Sequence, residues 1–195
     1  MLEQNKNAVF IDCCMRDDSR TYMIAAPIIE ELEKSYDIER ITLEGSKFLP
    51  VDSNVLLERN NGYVPEEYAS IARKIAGADR IIIAAPFWDM SFPSILKVFF
   101  ENISLFGITF DSNDKECYGL CKCQKVLYIT TRGMDIGTGT PLEQATPYLK
   151  ALSHLWGLGE IITVAAQNMD YSSKEEIDQK IKSAISEGLE ICRNF

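Results

Sequence analysis

The segment "RIIIAA" at Arg80–Ala85 constrains the fold of this chain most strongly. After the arginine it shows no alternation of apolar and polar residues, so a strand here would be apolar on both faces. Such a strand is covered on both sides, as in a parallel sheet with helices on each face. Four further runs have the length of strands, at Ala8–Cys13, Ile38–Leu43, Lys125–Thr130 and Glu160–Ala166.

Helical periodicity separates the predicted strands. Ile24, Ile28 and Leu32 recur at helical spacing, which predicts a first amphipathic helix. Periodicity is lost over Glu44–Gly62, which we predict to be a loop, and Gly107–Gln124 reads as an irregular excursion that could include a small hairpin. The other predicted helices cover Pro65–Gly77, Pro93–Ser104, about Leu142–Trp156 and Ile177–Gly188.

Five strands alternating with helices, without internal repeats, predict an open α/β sandwich with right-handed crossovers. Five strands fit a flavodoxin-like three-layer sandwich whose parallel sheet has the order 2-1-3-4-5, whereas a Rossmann sheet would need six. The 195 residues, 46% of them hydrophobic, suit one domain spanning residues 1–195. Ligands of such sheets bind beyond the carboxyl ends of the strands, near the switch in strand order. The loops after the first, third and fourth strands are therefore the candidates for a site.

The acidic balance of the chain excludes several classes of partner. A net charge of −9 leaves no basic excess to neutralise the phosphates of a nucleic acid or to dock on an anionic membrane. The sequence has neither an apolar run long enough to span a bilayer nor the pattern of a signal segment. We therefore expect a cytoplasmic protein that binds neither nucleic acid nor membrane.

The cysteines predict reduced, mostly structural thiols. They are too few for a secreted disulfide scaffold of this length. The central cluster has neither a nearby histidine nor a fourth cysteine, so it does not match a structural zinc site, and no metal site is predicted. The six are Cys13, Cys14, Cys117, Cys121, Cys123 and Cys192.

The loop after the first strand, "CCMRDDSRTYM" (the first loop), contains a candidate anion site. Ser19, Arg20 and Thr21 stand at the start of the first helix, where free N–H groups and the helix dipole favour an anion. Two hydroxyls and a guanidinium suit a monophosphate, although Asp17 and Asp18 oppose one and an N-cap serine beside an exposed arginine is the plain alternative. The loop has no G-x-G-x-x-G motif and no Walker A lysine motif, which disfavours dinucleotides and nucleoside triphosphates.

The loop after the third strand, "PFWDM" at Pro86–Met90 (the second loop), places a bulky aromatic pair where a buried strand ends. Phe87 and Trp88 could simply close the end of the core, since tryptophan is often highly buried. Alternatively they form a wall against a planar ring, with the N–H groups of residues 88 to 90 directed at its polar edge.

The loop after the fourth strand, "TTRGMDIGTGT" (the third loop), is rich in glycine. Thr131 and Arg132 bring hydrogen-bond donors to the same end of the sheet. Gly133 permits a backbone conformation or a close approach that other residues resist. A glycine-rich surface turn is the alternative for this loop taken alone.

Together the three loops resemble the flavin-binding segments of the flavodoxin-like NAD(P)H:quinone oxidoreductase and FMN-dependent azoreductase family. "SRT" is similar to that family's S-x-S/T phosphate loop, and "TTRGM" to its S/T-R-G-G loop. The stretch "APFWDMSFPSILKVFFENISLFGITF" resembles its P-M-Y-N-F-x-x-P-x-x-L-K segment, continued to G-x-T-F. The chain departs from the pattern at Trp88 and Asp89, where the family usually has Tyr and Asn, and at Met134, which replaces the second glycine.

The resemblance implies an enzyme that binds FMN and oxidises NADH or NADPH. Hydride would pass to flavin N5, and two electrons would then pass to a quinone, azo or nitro acceptor in a ping-pong cycle. The flavin carries this chemistry, so no catalytic side chain is predicted, and His154 is expected to be a structural or surface residue. The cofactor-binding residues that the resemblance implies are Cys13, Ser19, Arg20, Thr21, Pro86, Phe87, Trp88, Asp89, Met90, Thr131, Arg132, Gly133 and Met134.

The resemblance further implies a homodimer with the flavin at its two-fold interface, lined by the excursion after Gly107 and the helix at Leu142–Trp156. Two other functions stay open from the sequence. One is a flavodoxin-type electron carrier without its own small-molecule substrate. The other is an iron–sulfur flavoprotein using Cys117, Cys121 and Cys123, although clusters usually have four cysteine ligands.

Overall fold

The computed structural model describes residues 6–195, so residues 1–5 of the predicted domain lie outside it. Five parallel strands form one sheet and two antiparallel strands form a hairpin. In chain order the strands are β1 (Lys6–Asp12), β2 (Tyr36–Thr42), β3 (Arg80–Ala84), β4 (Phe110–Ser112), β5 (Cys117–Gly119), β6 (Lys125–Thr131) and β7 (Glu160–Ala166). The sheet has the order β2-β1-β3-β6-β7. Counting only its own strands, this is 2-1-3-4-5, and the predicted flavodoxin-like order is confirmed.

Helices cover both faces of the sheet. They are α1 (Arg20–Leu32), α2 (Ser53–Asn60), α3 (Glu66–Gly77), α4 (Ser94–Ile103), α5 (Ala145–Trp156) and α6 (Lys174–Cys192). Residues of α3, α4 and α5 share one buried cluster with the sheet, whereas α1 and α6 share the other. None of these six helices is long and apolar enough to cross a lipid bilayer.

The central strand β3 explains the uninterrupted apolar run. Every residue of β3 is buried. Ile81 and Ile83 point into the cluster on the α3–α5 side, and Ile82 and Ala84 point into the cluster on the α1–α6 side. Because successive side chains of a strand alternate between faces, a strand covered on both sides is apolar at every position.

The structure corrects the prediction of a loop at Glu44–Gly62, because α2 forms within it. None of the residues of α2 is buried, so no apolar stripe reveals this helix in the sequence. The side chain of Asp52 caps its first turn. Arg59 then donates to the carbonyl oxygens of Glu101 and Asn102, which attaches α2 to the end of α4.

The excursion after Gly107 contains the predicted hairpin, formed by β4 and β5. The hairpin packs tightly on the end of α5, since a Cβ atom added to Gly119 would lie 1.9 Å from the backbone nitrogen of Gly157. Helix α5 begins at Ala145, three residues later than Leu142. Its start follows from Glu143, whose carboxylate accepts a hydrogen bond from the N–H of Thr146 at 2.8 Å.

Candidate functional site

A cleft of about 250 Å³ opens at the carboxyl ends of β1, β3, β6 and β7. All three predicted loops border it, and so does the loop at residues 167–173 that follows β7 (the fourth loop), which the sequence analysis missed. The residues that line it are Met15, Arg16, Asp18, Ser19, Arg20, Thr21, Pro86, Phe87, Trp88, Thr131, Arg132, Gly133, Met169 and Asp170.

The first loop delivers the start of α1 to the cleft. Ser19 is the N-cap of α1, and its hydroxyl accepts a hydrogen bond from the N–H of Tyr22 at 3.2 Å. In the part of the chain that the structure describes, the N–H groups of Arg20 and Thr21 have no acceptor. This end of the cleft therefore has free backbone donors at the positive end of a helix dipole.

The two threonines of the first and third loops bond to each other. The hydroxyl oxygens of Thr21 and Thr131 lie 2.7 Å apart, and Thr21 is almost completely buried. The side-chain hydroxyl of Thr21 therefore has a hydrogen-bond partner within the protein. This bond fixes the first turn of α1 relative to the end of β6.

Arg20 reaches across the cleft to the fourth loop. Its Nη1 atom lies 3.4 Å from the carboxylate of Asp170 and 3.4 Å from the carbonyl oxygen of Met169. Both charged side chains remain accessible, with exposed fractions of 41% for Arg20 and 68% for Asp170. The predicted anion site therefore includes a carboxylate that the sequence analysis did not assign to it.

The second loop forms a tight turn with a strained backbone. Trp88 and Ser91 exchange two backbone hydrogen bonds of 3.0 and 2.9 Å. The two residues between them, Asp89 and Met90, have φ angles of +49° and +63°. Positive φ at both central residues defines a type I′ geometry, which favours Asn-Gly and is uncommon for a residue such as methionine.

This turn corrects one part of the prediction for residues 88 to 90. The N–H of Trp88 donates to the carbonyl oxygen of Ser91 and is not available to a ligand. Within residues 6–195, the N–H groups of Asp89 and Met90 have no acceptor. The loop is attached to its neighbours by bonds from Phe87 N–H to the carbonyl of Thr131 and from Gln144 N–H to the carbonyl of Met90.

Trp88 and Phe87 occupy different environments. Trp88 is 44% exposed and borders the cleft, and neither buried cluster contains it. Phe87 is buried, and the guanidinium carbon of Arg132 lies 5.5 Å from its ring centroid. The exposure of Trp88 does not match the core-packing alternative, whereas its contact with a flavin stays a prediction.

Arg132 has no solvent-exposed surface, although it is one of the residues that line the cleft. Its guanidinium donates to the carbonyl oxygen of Ile136 at 2.8 Å and to the hydroxyl of Thr138 at 2.9 Å. Burial lowers the pKa of Arg132, and the nearby Glu143 carboxylate acts in the opposite direction. The side chain thus organises the third loop through Nη1 and Nη2, while its buried Nε atom has no acceptor among the described residues. Whether Arg132 contacts a ligand stays a prediction.

Gly133 does not have a left-handed backbone, and its missing side chain leaves room for the exposed carboxylate of Asp170. A Cβ atom at this position would lie 2.1 Å from Oδ2 of Asp170. Backbone hydrogen bonds of 3.0 Å run from the N–H of Met169 to the carbonyl of Arg132 and from the N–H of Asp170 to the carbonyl of Gly133. The fourth loop is therefore fixed against the third.

Four predicted site residues do not line the cleft. Cys13 is completely buried in the core, and its pKa is raised to about 12, chiefly by burial. Asp89, Met90 and Met134 are exposed beside the cleft. The missed Met169 and Asp170 could have been found from the strand order, because β7 ends at the same edge of the sheet as β6.

The cysteine cluster lies in and after the hairpin, with Cys117 exposed. Burial raises the pKa of Cys121 to about 12 and that of Cys123 to about 11, so both thiols are protonated at neutral pH. Their sulfur atoms contact backbone carbonyl oxygens of Thr109 and Lys125. Among residues 6–195, no group of three or more His, Cys, Asp or Glu side chains is arranged to hold a metal ion.

Comparison with known proteins places this geometry in a family. Residues 6–189 match a family model described as "Flavodoxin-like fold". FMN-dependent NADH:quinone oxidoreductase 2 from Clostridium perfringens strain 13 is 33% identical over 184 residues, which cover 87% of this chain and 90% of the relative. The FMN-dependent NADH:quinone oxidoreductase from Clostridium beijerinckii is 32% identical over 187 residues, which cover 91% of this chain and 92% of the relative.

Solved structures show the same fold. An FMN-dependent NADH-azoreductase from Bacillus anthracis in complex with FMN superposes with a TM-score of 0.83 at 21% identity, covering 97% of this chain and 98% of that one. The NAD(P)H:quinone oxidoreductase from Methanothermobacter marburgensis gives a TM-score of 0.78 at 15% identity, covering 96% of this chain and 100% of that one. At these identities the likeness concerns the fold alone. The chain belongs to the flavodoxin-like family and, within it, to the family of FMN-dependent NADH:quinone oxidoreductases that its sequence relatives define.

Proposed function

We propose that this protein is an FMN-dependent oxidoreductase that passes two electrons from NADH to a quinone or azo acceptor. The observation that carries the proposal is the composition of the cleft. It combines free backbone donors and Arg20 at the start of α1 with the partly exposed ring of Trp88. The names of the sequence relatives and of the structural neighbours support the same cofactor and the same electron donor.

The end of the cleft at α1 fits a phosphate monoester. The unpaired N–H groups of Arg20 and Thr21 and the guanidinium of Arg20 are the donors that a phosphate accepts. The hydroxyl of Ser19 accepts from Tyr22 and still has its own proton to donate. The cleft has one such phosphate-binding site, and the sequence has no dinucleotide-binding motif. Both observations favour FMN over FAD.

The end of the cleft at the second loop fits a planar ring. Pro86, Phe87 and Trp88 supply an apolar wall. The tight turn after Trp88 leaves the N–H groups of Asp89 and Met90 unpaired beside the cleft, as donors for the polar edge of a ring that extends past Trp88. A strained turn of this kind persists only where the surrounding structure fixes it, which is common at ligand sites.

When bound, FMN supplies the two-electron chemistry, and the protein supplies binding, orientation and electrostatics. We propose a ping-pong cycle in which NADH and then a quinone, azo or nitro acceptor occupy the same cleft in turn. No described residue is assigned a catalytic proton transfer. Residues 1–195 would act as one flavin-binding domain.

We further propose that the active species is a homodimer in the cytoplasm. The family resemblance implies a flavin at a two-fold interface, and the cleft of about 250 Å³ lies below the ~300–1,000 Å³ of typical small-molecule sites, which is consistent with a wall shared between two subunits. Apolar side chains stand exposed on α2 and before the hairpin, with Leu57 at 61% and Phe106 at 65%. Six free cysteines agree with a reducing compartment.

The test is to mix the purified, flavin-loaded protein with NADH without oxygen and to follow the absorbance of oxidised flavin. The proposal expects rapid loss of that absorbance, and its return when a quinone is added. A flavodoxin-type carrier would keep its flavin oxidised until a reductase partner was supplied. Absence of bound FMN after reconstitution would overturn the proposal altogether.

A further inference from the structure

The fourth loop is held in place from two sides. On one side, the N–H groups of Asn168, Met169 and Asp170 donate to three successive carbonyl groups of the third loop, at 2.9 to 3.0 Å. On the other side, Lys180 of α6 donates to the carbonyl oxygens of Gln167 and Asn168 at 3.0 and 3.1 Å. The position of Asp170 at the cleft is therefore fixed by its backbone.

The carboxylate of Asp170 occupies the space that the missing side chain of Gly133 leaves. One carboxylate oxygen lies where a Cβ atom of Gly133 would approach to 2.1 Å. The other oxygen contacts Nη1 of Arg20 at 3.4 Å. The carbonyl oxygen of Met169 contacts the same Nη1 atom at 3.4 Å. One nitrogen of the guanidinium is thus bound by two groups of the fourth loop.

The remaining donors of Arg20 are free. Its Nε and Nη2 atoms have no acceptor in the part of the chain that the structure describes. A guanidinium is planar and rigid, so fixing one nitrogen restricts the directions of the others. These free donors belong to a side chain that lines the same cleft as the start of α1, whose first N–H groups are unpaired and form the proposed phosphate-binding end.

We propose that Asp170 is a positioning residue that orients Arg20 toward the phosphate of the flavin, an inference that rests on the proposed function. The fourth loop is then a fourth cofactor-binding segment, acting through Arg20. The opposite effect is also physically reasonable, because a carboxylate near a phosphate repels it and competes for the guanidinium. The two effects change FMN affinity in opposite directions, so affinity decides between them.

The experiment titrates the flavin-free protein with FMN and with riboflavin, which lacks the phosphate, and follows flavin fluorescence. Asp170→Ala should weaken FMN binding by about two- to fivefold, the range of an exposed ion pair. Riboflavin affinity should not change. Asp170→Asn keeps an acceptor oxygen in the same space, so its FMN affinity should fall by less than that of Asp170→Ala. Asp135→Ala, an exposed carboxylate of the third loop outside the cleft lining, is the charge-matched control and should leave FMN affinity unchanged.

A double-mutant cycle with Arg20→Ala gives the decisive comparison. If Asp170 acts through Arg20, Asp170→Ala should cause no further loss of FMN affinity in the Arg20→Ala protein. Tighter FMN binding by Asp170→Ala, an equal loss in both backgrounds, or a parallel loss of riboflavin affinity would each overturn the inference. Failure of the unaltered protein to bind FMN would overturn the proposed function, and this inference with it.

Discussion

The carboxylate of Glu143 lies 4.0 Å from the guanidinium of Arg132, and neither side chain has any exposed surface. Glu143 also accepts hydrogen bonds from the N–H of Thr146 at 2.8 Å and from the N–H of Gly139 at 3.4 Å. Arg132 in turn bonds within residues 136–138. This buried pair therefore connects the third loop to the start of α5.

Removing one member of the pair should strongly destabilise the protein. Glu143→Ala leaves the Arg132 charge buried without compensation, and we expect a loss of roughly 3–5 kcal/mol in the free energy of unfolding. Glu143→Gln keeps an acceptor for the N–H of Thr146, so its free energy of unfolding should fall by less. Urea unfolding of the flavin-free proteins measures the free energy of unfolding of both variants. An Ala variant as stable as the parent would show that the pair is not a structural link.

Arg20→Ala tests whether the phosphate of FMN binds at the start of α1. A charge-assisted hydrogen bond contributes roughly 1.5–3 kcal/mol, so FMN affinity should fall by about ten- to hundredfold. Because the Arg20 side chain is 41% exposed, we expect the lower end of that range. Riboflavin is the matched control ligand and should bind unchanged. Equal FMN affinities of parent and variant, measured by titration, would place the phosphate elsewhere.

Trp88→Ala distinguishes a ring-binding wall from core packing. A fully buried tryptophan would cost roughly 3–5 kcal/mol on truncation to alanine. Trp88 is 44% exposed, so the loss of stability should be clearly smaller. FMN affinity and the rate of flavin reduction by NADH should fall instead, because the ring loses its orientation. Phe100→Ala, in the core, is the control for a large loss of stability. A large drop in melting temperature with normal reduction kinetics would return Trp88 to a packing role.

The strained turn predicts a gain in stability on substitution. Met90 has a φ of +63°, which glycine adopts without strain. Met90→Gly should therefore raise the free energy of unfolding by about 1 kcal/mol, after allowance for the greater freedom of glycine in the unfolded chain. Gly45→Ala is the reverse control, since Gly45 has a φ of +67° and open space at its Cβ position. A destabilised Met90→Gly protein would mean that contacts of the methionine side chain outweigh the strain.

The sequence predicted those parts of the fold that depend on burial. The run at β3 required cover on both faces, and Ile24, Ile28 and Leu32 of α1 are buried as their spacing indicated. Helix α2 was not predicted because none of its residues is buried, so its sequence shows no periodic pattern of apolar residues. Its attachment through Arg59 to two carbonyl groups is a tertiary contact that no local pattern records.

For the site, the sequence predicted the loops better than the directions of their side chains. Ser19, Arg20 and Trp88 do border the cleft. An arginine at position 132 suggested an exposed donor, yet the guanidinium of Arg132 is buried. Its partners lie in its own loop and at Glu143. Asp170 reaches the cleft only because the fourth loop bonds along the third, which depends on the pairing of β7 with β6.

Reduction of the bound flavin by NADH is the most direct test of whether this protein is an FMN-dependent NADH oxidoreductase. The protein would be reconstituted with FMN, freed of excess cofactor, and mixed with NADH in a stopped-flow instrument without oxygen. We expect loss of the absorbance of oxidised flavin with a rate that depends on NADH concentration, followed by recovery when a quinone is added. A flavin that stays oxidised in millimolar NADH, in a protein that holds FMN, would rule out a direct NADH oxidoreductase and leave an electron carrier as the function.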